Sequence, residues 1–224
     1  MEGYNPDQND VIETKGIQLT IEKGFENFVP EDFKTNPTLY FKEKGINIKS
    51  GEKKFKEDGT ISEDPDAVKE FPLWENNQGE VVSVVGKMVN TVKSHVGKSG
   101  NPFYEYEIME LIKEMGLPCA NPIAKVEQNG EYLFIMEKVP GLRWVDSDIK
   151  FLKDQGLNET DLKSLEQQAW KMTEELGKRF TEMGVIRTWK PKDMIFEVDI
   201  ENRRITKITP VDWERTKIVE KNNL

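Results

Sequence analysis

Apolar residues along this chain recur at two intervals, every second position or every third to fourth, and each interval predicts its own kind of element. Ile17-Gln18-Leu19-Thr20-Ile21 alternates as a half-buried strand does, and the short β-branched and aromatic run Thr38-Leu39-Tyr40-Phe41 reads as another. Val81 to Val89 is β-branched and apolar, follows the turn-like Asn76-Asn77-Gln78-Gly79, and reads as a buried strand interrupted by Lys87. Ile123 to Glu127 and Tyr132 to Met136, joined by Asn129-Gly130, form a hairpin pattern. A second hairpin pattern pairs Met194 to Val198 with Arg204 to Ile208 across Asp199 to Arg203. The helical interval appears over Phe103 to Met115, where Ile108, Leu111, Ile112 and Met115 share a face behind Pro102. A short helix is expected around Ser147 to Lys153. The longest, Asp161 to Met183, carries the apolar stripe Leu162, Leu165, Ala169, Met172, Leu176, Phe180 and Met183, with Gly184 placed as its left-handed cap.

Strands and helices in this order predict an α+β chain rather than a βαβ repeat. Between Lys49 and Glu70 the residues are dense in Lys, Glu, Asp and Gly, so that stretch reads as a surface loop or hairpin arm. The 224 residues suffice for one sizeable domain or two small lobes.

Composition narrows the chemistry. The net charge of −9 argues against a nonspecific grip on nucleic acid or anionic lipid, which needs a basic surface. One cysteine, Cys119, and one histidine, His95, leave too few ligands for a Cys/His zinc site within one chain. Catalysis would run on carboxylates, lysines and hydroxyls. Met1 to Asp10 is polar and acidic, unlike a signal peptide, and no apolar run approaches the roughly 20 residues that span a membrane. A soluble, cytoplasmic protein is the expectation.

The last hairpin is the first candidate site. If it turns near Asn202-Arg203, residues whose numbers sum to about 405 face each other, which sets Asp193 opposite Asp212 at the open end. Two adjacent carboxylates repel unless a cation or shared proton intervenes, and oxygen-only ligands suit Mg²⁺. On the local pattern alone, two solvated aspartates flanking an ordinary hairpin is the simpler reading.

The wider chain adds a resemblance. Ile186-Arg187-Thr188-Trp189-Lys190-Pro191-Lys192-Asp193-Met194-Ile195 resembles the catalytic loop of protein kinases and related phosphotransferases. Val211-Asp212-Trp213-Glu214 resembles their metal-binding D-F-G segment, in the form seen in the aminoglycoside phosphotransferase and choline kinase branch. Phe134-Ile135-Met136-Glu137, followed by Pro140-Gly141, resembles the strand and hinge between the two lobes. The resemblance covers about residues 80–218. It implies a two-lobed protein kinase-like fold with a truncated C-lobe: residues 1–70 as an N-terminal extension or part of the small lobe, 71–137 as the N-lobe and 138–224 as the C-lobe. It also implies ATP and Mg²⁺ as cofactors, with Lys87 holding phosphates, Glu137 beside the nucleotide, Asp193 and Asp212 as metal ligands, and Lys190 steadying the transferred phosphate. The family pairs its strand lysine with a helical glutamate. Here Glu105 shares a face with Ile108 and Ile112, whereas Glu107 stacks with Glu110 and Glu114 on a water-facing stripe, so Glu105 is the candidate. The plainer alternatives are a lysine marking a strand end and a first-turn acid favoured by the helix dipole.

No motif of the family is intact. Thr188 stands where the catalytic aspartate belongs and Ile186 where the histidine belongs, and a threonine hydroxyl cannot accept a proton near neutral pH. A glycine-rich loop is absent, Gly97-Lys98-Ser99 reads as a loop, and the sequence ends soon after Val219. Three readings stay open. One is a minimal kinase acting on a protein or small-molecule hydroxyl. Another is a pseudokinase serving as a binding or regulatory module, and the third is an acidic α+β interaction protein. Trp144 and Trp189 read as core residues or as pocket walls.

Overall fold

The computed structural model describes residues 10–14, 16–48, 68–89 and 101–219. The Gly97-Lys98-Ser99 loop, His95 and most of the charged stretch after Lys49 lie outside the described residues. The fold is mixed α+β, as expected, and the chain divides into two compact units. One comprises Met1–Tyr106 with Asn121–Lys138, the other Glu107–Ala120 with Val139–Leu224.

The first unit is built on a seven-stranded antiparallel sheet. In chain order its strands are β1 (Asp10–Thr14), β2 (Ile17–Ile21), β3 (Ile46–Asn47), β4 (Val68–Glu70), β7 (Val84–Val89), β8 (Pro122–Gln128) and β9 (Glu131–Glu137). Their spatial order is β1-β2-β8-β9-β7-β4-β3. The β8–β9 turn has Asn129 at φ 51° and Gly130 at φ 80°, the doubly left-handed geometry that Asn-Gly supplies most readily. Two further strands, β5 (Trp74–Glu75) and β6 (Val81–Val82), make a small hairpin around the Asn76 turn, where Asn76 Oδ1 accepts from the Gln78 and Glu80 amides. The expected single strand from Val81 to Val89 is therefore two strands in different sheets. They part at Ser83, whose carbonyl accepts from the Lys138 amide.

Thr38 to Phe41 is helical, not extended. Pro37–Lys44 forms α2 directly after α1 (Glu31–Thr35). Pro37 suits the first helical position, Asn36 Oδ1 accepts from the Leu39 amide, and both features outweigh strand propensity in so short a run. The buried Gln128 side chain on β8 accepts from the Thr38 amide and hydroxyl and donates to Asn36, tying α2 to the sheet. Tyr40 and Phe41 pack with Phe33, Phe71 and Trp74 into the core beneath Leu19, Ile21, Ile123, Val126, Leu133 and Ile135. The Trp74 indole N–H donates to the Tyr40 hydroxyl at 3.1 Å, which satisfies a fully buried polar group.

α3 (Tyr104–Glu114) crosses from the first unit into the second. The second unit holds β10 (Leu142–Arg143), α4 (Asp146–Asp154), α5 (Glu159–Glu182), β11 (Val185–Ile186), β12 (Met194–Asp199), β13 (Arg204–Pro210) and β14 (Lys217–Ile218). α5 opens with a reciprocal cap in which Asn158 Oδ1 accepts from the Thr160 and Asp161 amides while Asp161 Oδ2 accepts from the Asn158 amide. Its stripe of Leu162, Leu165 and Ala169 packs with Met194, Phe196 and Ile205 of the β12–β13 hairpin. Trp144 packs edge-on against Phe196 and joins this core. At Gly141, φ is +121° and a Cβ would lie 2.5 Å from the Phe196 carbonyl oxygen, so only glycine lets β10 reach β12.

Candidate functional site

Two clusters contain the residues singled out from the sequence, one in each unit. In the first unit, Lys87 pairs with Phe134 on β9, which in turn pairs with Lys125 on β8. A sheet turns alternate residues to opposite faces, so this row lies across the sheet from Leu133 and Ile135. That explains a lysine among valines: one face of β7 joins the aromatic core, and the other carries Lys87. The start of α3 covers the lysine's face. Tyr106 packs edge-on against Phe134 with centroids 5.9 Å apart, the Lys125 ammonium sits 5.1 Å from the Tyr106 ring, and Lys87 Nζ lies 2.6 Å from Glu105 Oε2. Both side chains of that ion pair are 11% exposed. The structure thus brings Lys87 and Glu105 together, while Glu107 and Glu110 are half-buried and Glu114 is exposed. Glu137 ends β9, where its Oε2 accepts from Asn121 Nδ2 at 2.6 Å.

In the second unit, β11 leads into the segment 187–193, which closes in a 3-10 turn over Pro191–Asp193 before β12. The Asp193 carbonyl accepts from the Val211 amide at 2.9 Å, and Met194 pairs with Pro210. Paired numbers therefore sum to 404 at the open end rather than 405. Beside the turn Asp199 pairs with Arg204 and Val198 with Ile205, so the turn centres on Glu201-Asn202 and not Asn202-Arg203; the bulge at Glu197/Val198 recovers one step of that offset, and Val211, not Asp212, stands opposite Asp193. Asp212 is the next residue on, at φ 63°, one of the few non-glycine positions with left-handed backbone. Such conformations cost energy, are tolerated best by Asn and Asp, and cluster at functional sites.

Asp193 and Asp212 nonetheless line one cavity of about 270 Å³ with Arg187, Thr188, Lys190, Lys192, Glu214 and Arg215. Among its lining residues is Arg187, to which the sequence alone assigned no role. The Arg187 side chain is 5% exposed, and its guanidinium lies 3.5 Å from Asp193 Oδ2 and donates to the Val211 carbonyl at 3.1 Å. It also stacks 5.1 Å from the Trp189 ring and 5.3 Å from the Trp213 ring. Phe180 of α5 backs both indoles. Planar cations favour such aromatic seats, and one arginine here ties the loop, the hairpin and Trp213 together. The signal in sequence was an arginine two residues before an aromatic, Arg187 and Trp189, with Trp213 arriving only through the fold.

Among the described residues no group of three or more His, Cys, Asp or Glu side chains is placed to hold a metal. Asp193 and Asp212 do not make a protein-only cage, but they fit Mg²⁺, which binds through one or two carboxylates together with substrate phosphates. No described helix is long and apolar enough to cross a membrane.

No family model matches the chain, and no curated protein does. Among solved structures, a crystal structure of Rad53 1-466 in complex with AMP-PNP aligns over 91% of this chain at 14% identity, with a TM-score of 0.42. The alignment covers 51% of that chain, about half its length. A likeness at that level carries no argument about the chemistry of these residues.

Proposed function

We propose that the chain is a kinase-like protein that binds ATP with Mg²⁺ and transfers the γ-phosphate to a protein or small-molecule hydroxyl. The observation that carries this reading is the convergence of Asp193, Asp212, Lys190 and Thr188 on one polar cavity, although they come from two separate segments of the chain. Asp193 and Asp212 would hold the ion through their carboxylates. Bound Mg²⁺ would offset the negative charge that builds on the phosphate oxygens during transfer. In the first unit Lys87 is paired with Glu105, and by the resemblance its ammonium would be the one that meets the α- and β-phosphates. Lys190 would steady the group in flight. Arg187 acts through Asp193, holding its carboxylate and the Val211 backbone so that the ligand oxygens start in place. These roles are positioning and electrostatics, which supply most of the catalysis in phosphoryl transfer.

A second reading, nucleotide binding without transfer, is favoured by Thr188. It lines the cavity in the place of the base, and its hydroxyl cannot take the acceptor's proton near neutral pH.

Thermal unfolding separates the outcomes. Nucleotide at about a hundred times its dissociation constant should raise Tm by about 5–10 °C. Asp212→Asn should remove the shift while keeping the left-handed backbone that asparagine tolerates. No shift at millimolar Mg²⁺–ATP would end both nucleotide readings. If transfer occurs, γ-phosphate label should reach the protein or an acceptor, and Lys87→Met should stop it. Binding without labelling selects the pseudokinase.

A further inference from the structure

We infer that the second unit's cavity takes a phosphate-type oxyanion directly on side-chain cations, with Lys192 and Arg215 as anchors, and that a divalent ion enters with the anion instead of waiting in the site. This deepens the nucleotide reading and rests on it only for the source of the anion.

The local charge runs against the rest of the molecule. The chain carries −9 overall, yet the cavity gathers four cations, Arg187, Lys190, Lys192 and Arg215, against the three acids Asp193, Asp212 and Glu214. Arg187 and Asp193 offset one another. Lys190, Lys192 and Arg215 make no ion pair among the described residues, and all three are exposed and ready to meet a ligand. Lys192 and Arg215 each sit on a 3-10 turn whose backbone is tied, by the Asp193 amide to the Lys190 carbonyl at 3.0 Å and by the Thr216 amide to the Trp213 carbonyl at 3.1 Å. Short closed turns deliver the charges with little backbone freedom left to lose on binding.

Like charges held around one small cavity are relieved by an anion, and a phosphate can accept several charge-assisted hydrogen bonds at once. A metal waiting alone would find three acids, with Asp193 already engaged by Arg187, against four cations around the same cavity. The cation excess therefore favours anion first, with Mg²⁺ arriving on it.

The test is calorimetric titration of the full chain in EDTA with tripolyphosphate, inorganic phosphate and ATP in separate runs, followed by Mg²⁺ alone in chelator-free buffer. Tripolyphosphate should bind without metal, more weakly as salt rises. Lys192→Gln and Arg215→Gln should each weaken it by about tenfold, and melting curves should show these exposed variants folded. Asp212→Asn, which removes a repelling carboxylate, should bind tripolyphosphate at least as well as the parent while losing Mg²⁺–ATP. Phosphate binding comparable to tripolyphosphate would identify a single-phosphate carrier as the source, whereas a clear preference for tripolyphosphate and ATP identifies a polyphosphate tail. Failure of tripolyphosphate to bind in EDTA, unchanged affinity in both glutamine variants, or binding of Mg²⁺ alone overturns the inference. If Mg²⁺–ATP binds and metal-free tripolyphosphate does not, the nucleotide reading survives this one. If tripolyphosphate binds and Mg²⁺–ATP does not, the oxyanion site stands and the nucleotide reading falls.

Discussion

Lys87 and Glu105 form a close ion pair with little exposure, and the physics of such pairs makes a sharp prediction. Removing one partner takes from the other its close counter-charge, whereas replacing both with apolar residues removes the two charges together. Lys87→Met should destabilise the fold by about 3 kcal/mol, and Lys87→Met with Glu105→Leu should recover most of that loss, as read from denaturant midpoints. Equal loss in the single and double variants would show that the pair is not the stabilising unit. Cys119 supplies an independent check on burial. Desolvation raises its thiol pKa to about 11, with Lys113 opposing, and its sulfhydryl lies 3.6 Å from the Met109 carbonyl. At pH 8 only about a thousandth of the thiol is then ionised, so alkylation should be slow, quicken roughly tenfold per pH unit, and become fast on unfolding. At this scale the choice of Glu105 over Glu107 was legible, because helix geometry separates an inward from an outward face. The seat of Arg187 was not, since its two indoles stand 24 residues apart, at Trp189 and Trp213.

The closing hairpin shows what patterning reveals about an element and what it conceals. Alternation located β12 and β13, but neither the turn centre at Glu201-Asn202, one step before Asn202-Arg203, nor the bulge at Glu197/Val198, and the two together set Val211 opposite Asp193. A bulge changes register without changing which residues are apolar, so hydrophobic rhythm is blind to it. The Thr38 to Phe41 segment failed for a different reason: its capping residues, Asn36 and Pro37, outweighed its β-branched and aromatic character. Asp199 anchors the hairpin turn by accepting from the Asn202 amide and side chain and from Arg204. The Asn202 side-chain and backbone bonds chiefly, then Arg204, hold its pKa below the usual 3.8. A carboxylate lowered in the folded state contributes stability above its unfolded pKa and loses it as pH falls through the lower value. The advantage of the parent over Asp199→Asn should therefore be full at pH 5 and fade below about pH 4 in acid unfolding curves. A constant difference across that range would contradict it. Gly141→Ala, against both its backbone angle and the Phe196 carbonyl, should cost about 2 kcal/mol or more.

For the whole molecule, the α+β class and most elements could be read from sequence because periodicity, caps and the Asn-Gly turn are local signals. The spatial order β1-β2-β8-β9-β7-β4-β3 could not, since it joins strands more than a hundred residues apart and depends on which faces fit. Short strands such as β10, β11 and β14 were missed as well, each of two residues and too brief to show a rhythm. The candidate site followed the same division: its residue types were visible in sequence, whereas the shared cavity and its excess of positive charge required the fold. The central claim is that Asp212 helps this chain hold magnesium nucleotide, and calorimetric titration of the parent and Asp212→Asn with Mg²⁺–ATP tests it most directly. A saturable one-site isotherm for the parent, weakened at least about tenfold in the variant, is the expected result. No binding heat in the parent at millimolar nucleotide, or equal affinity in the two proteins, would contradict it.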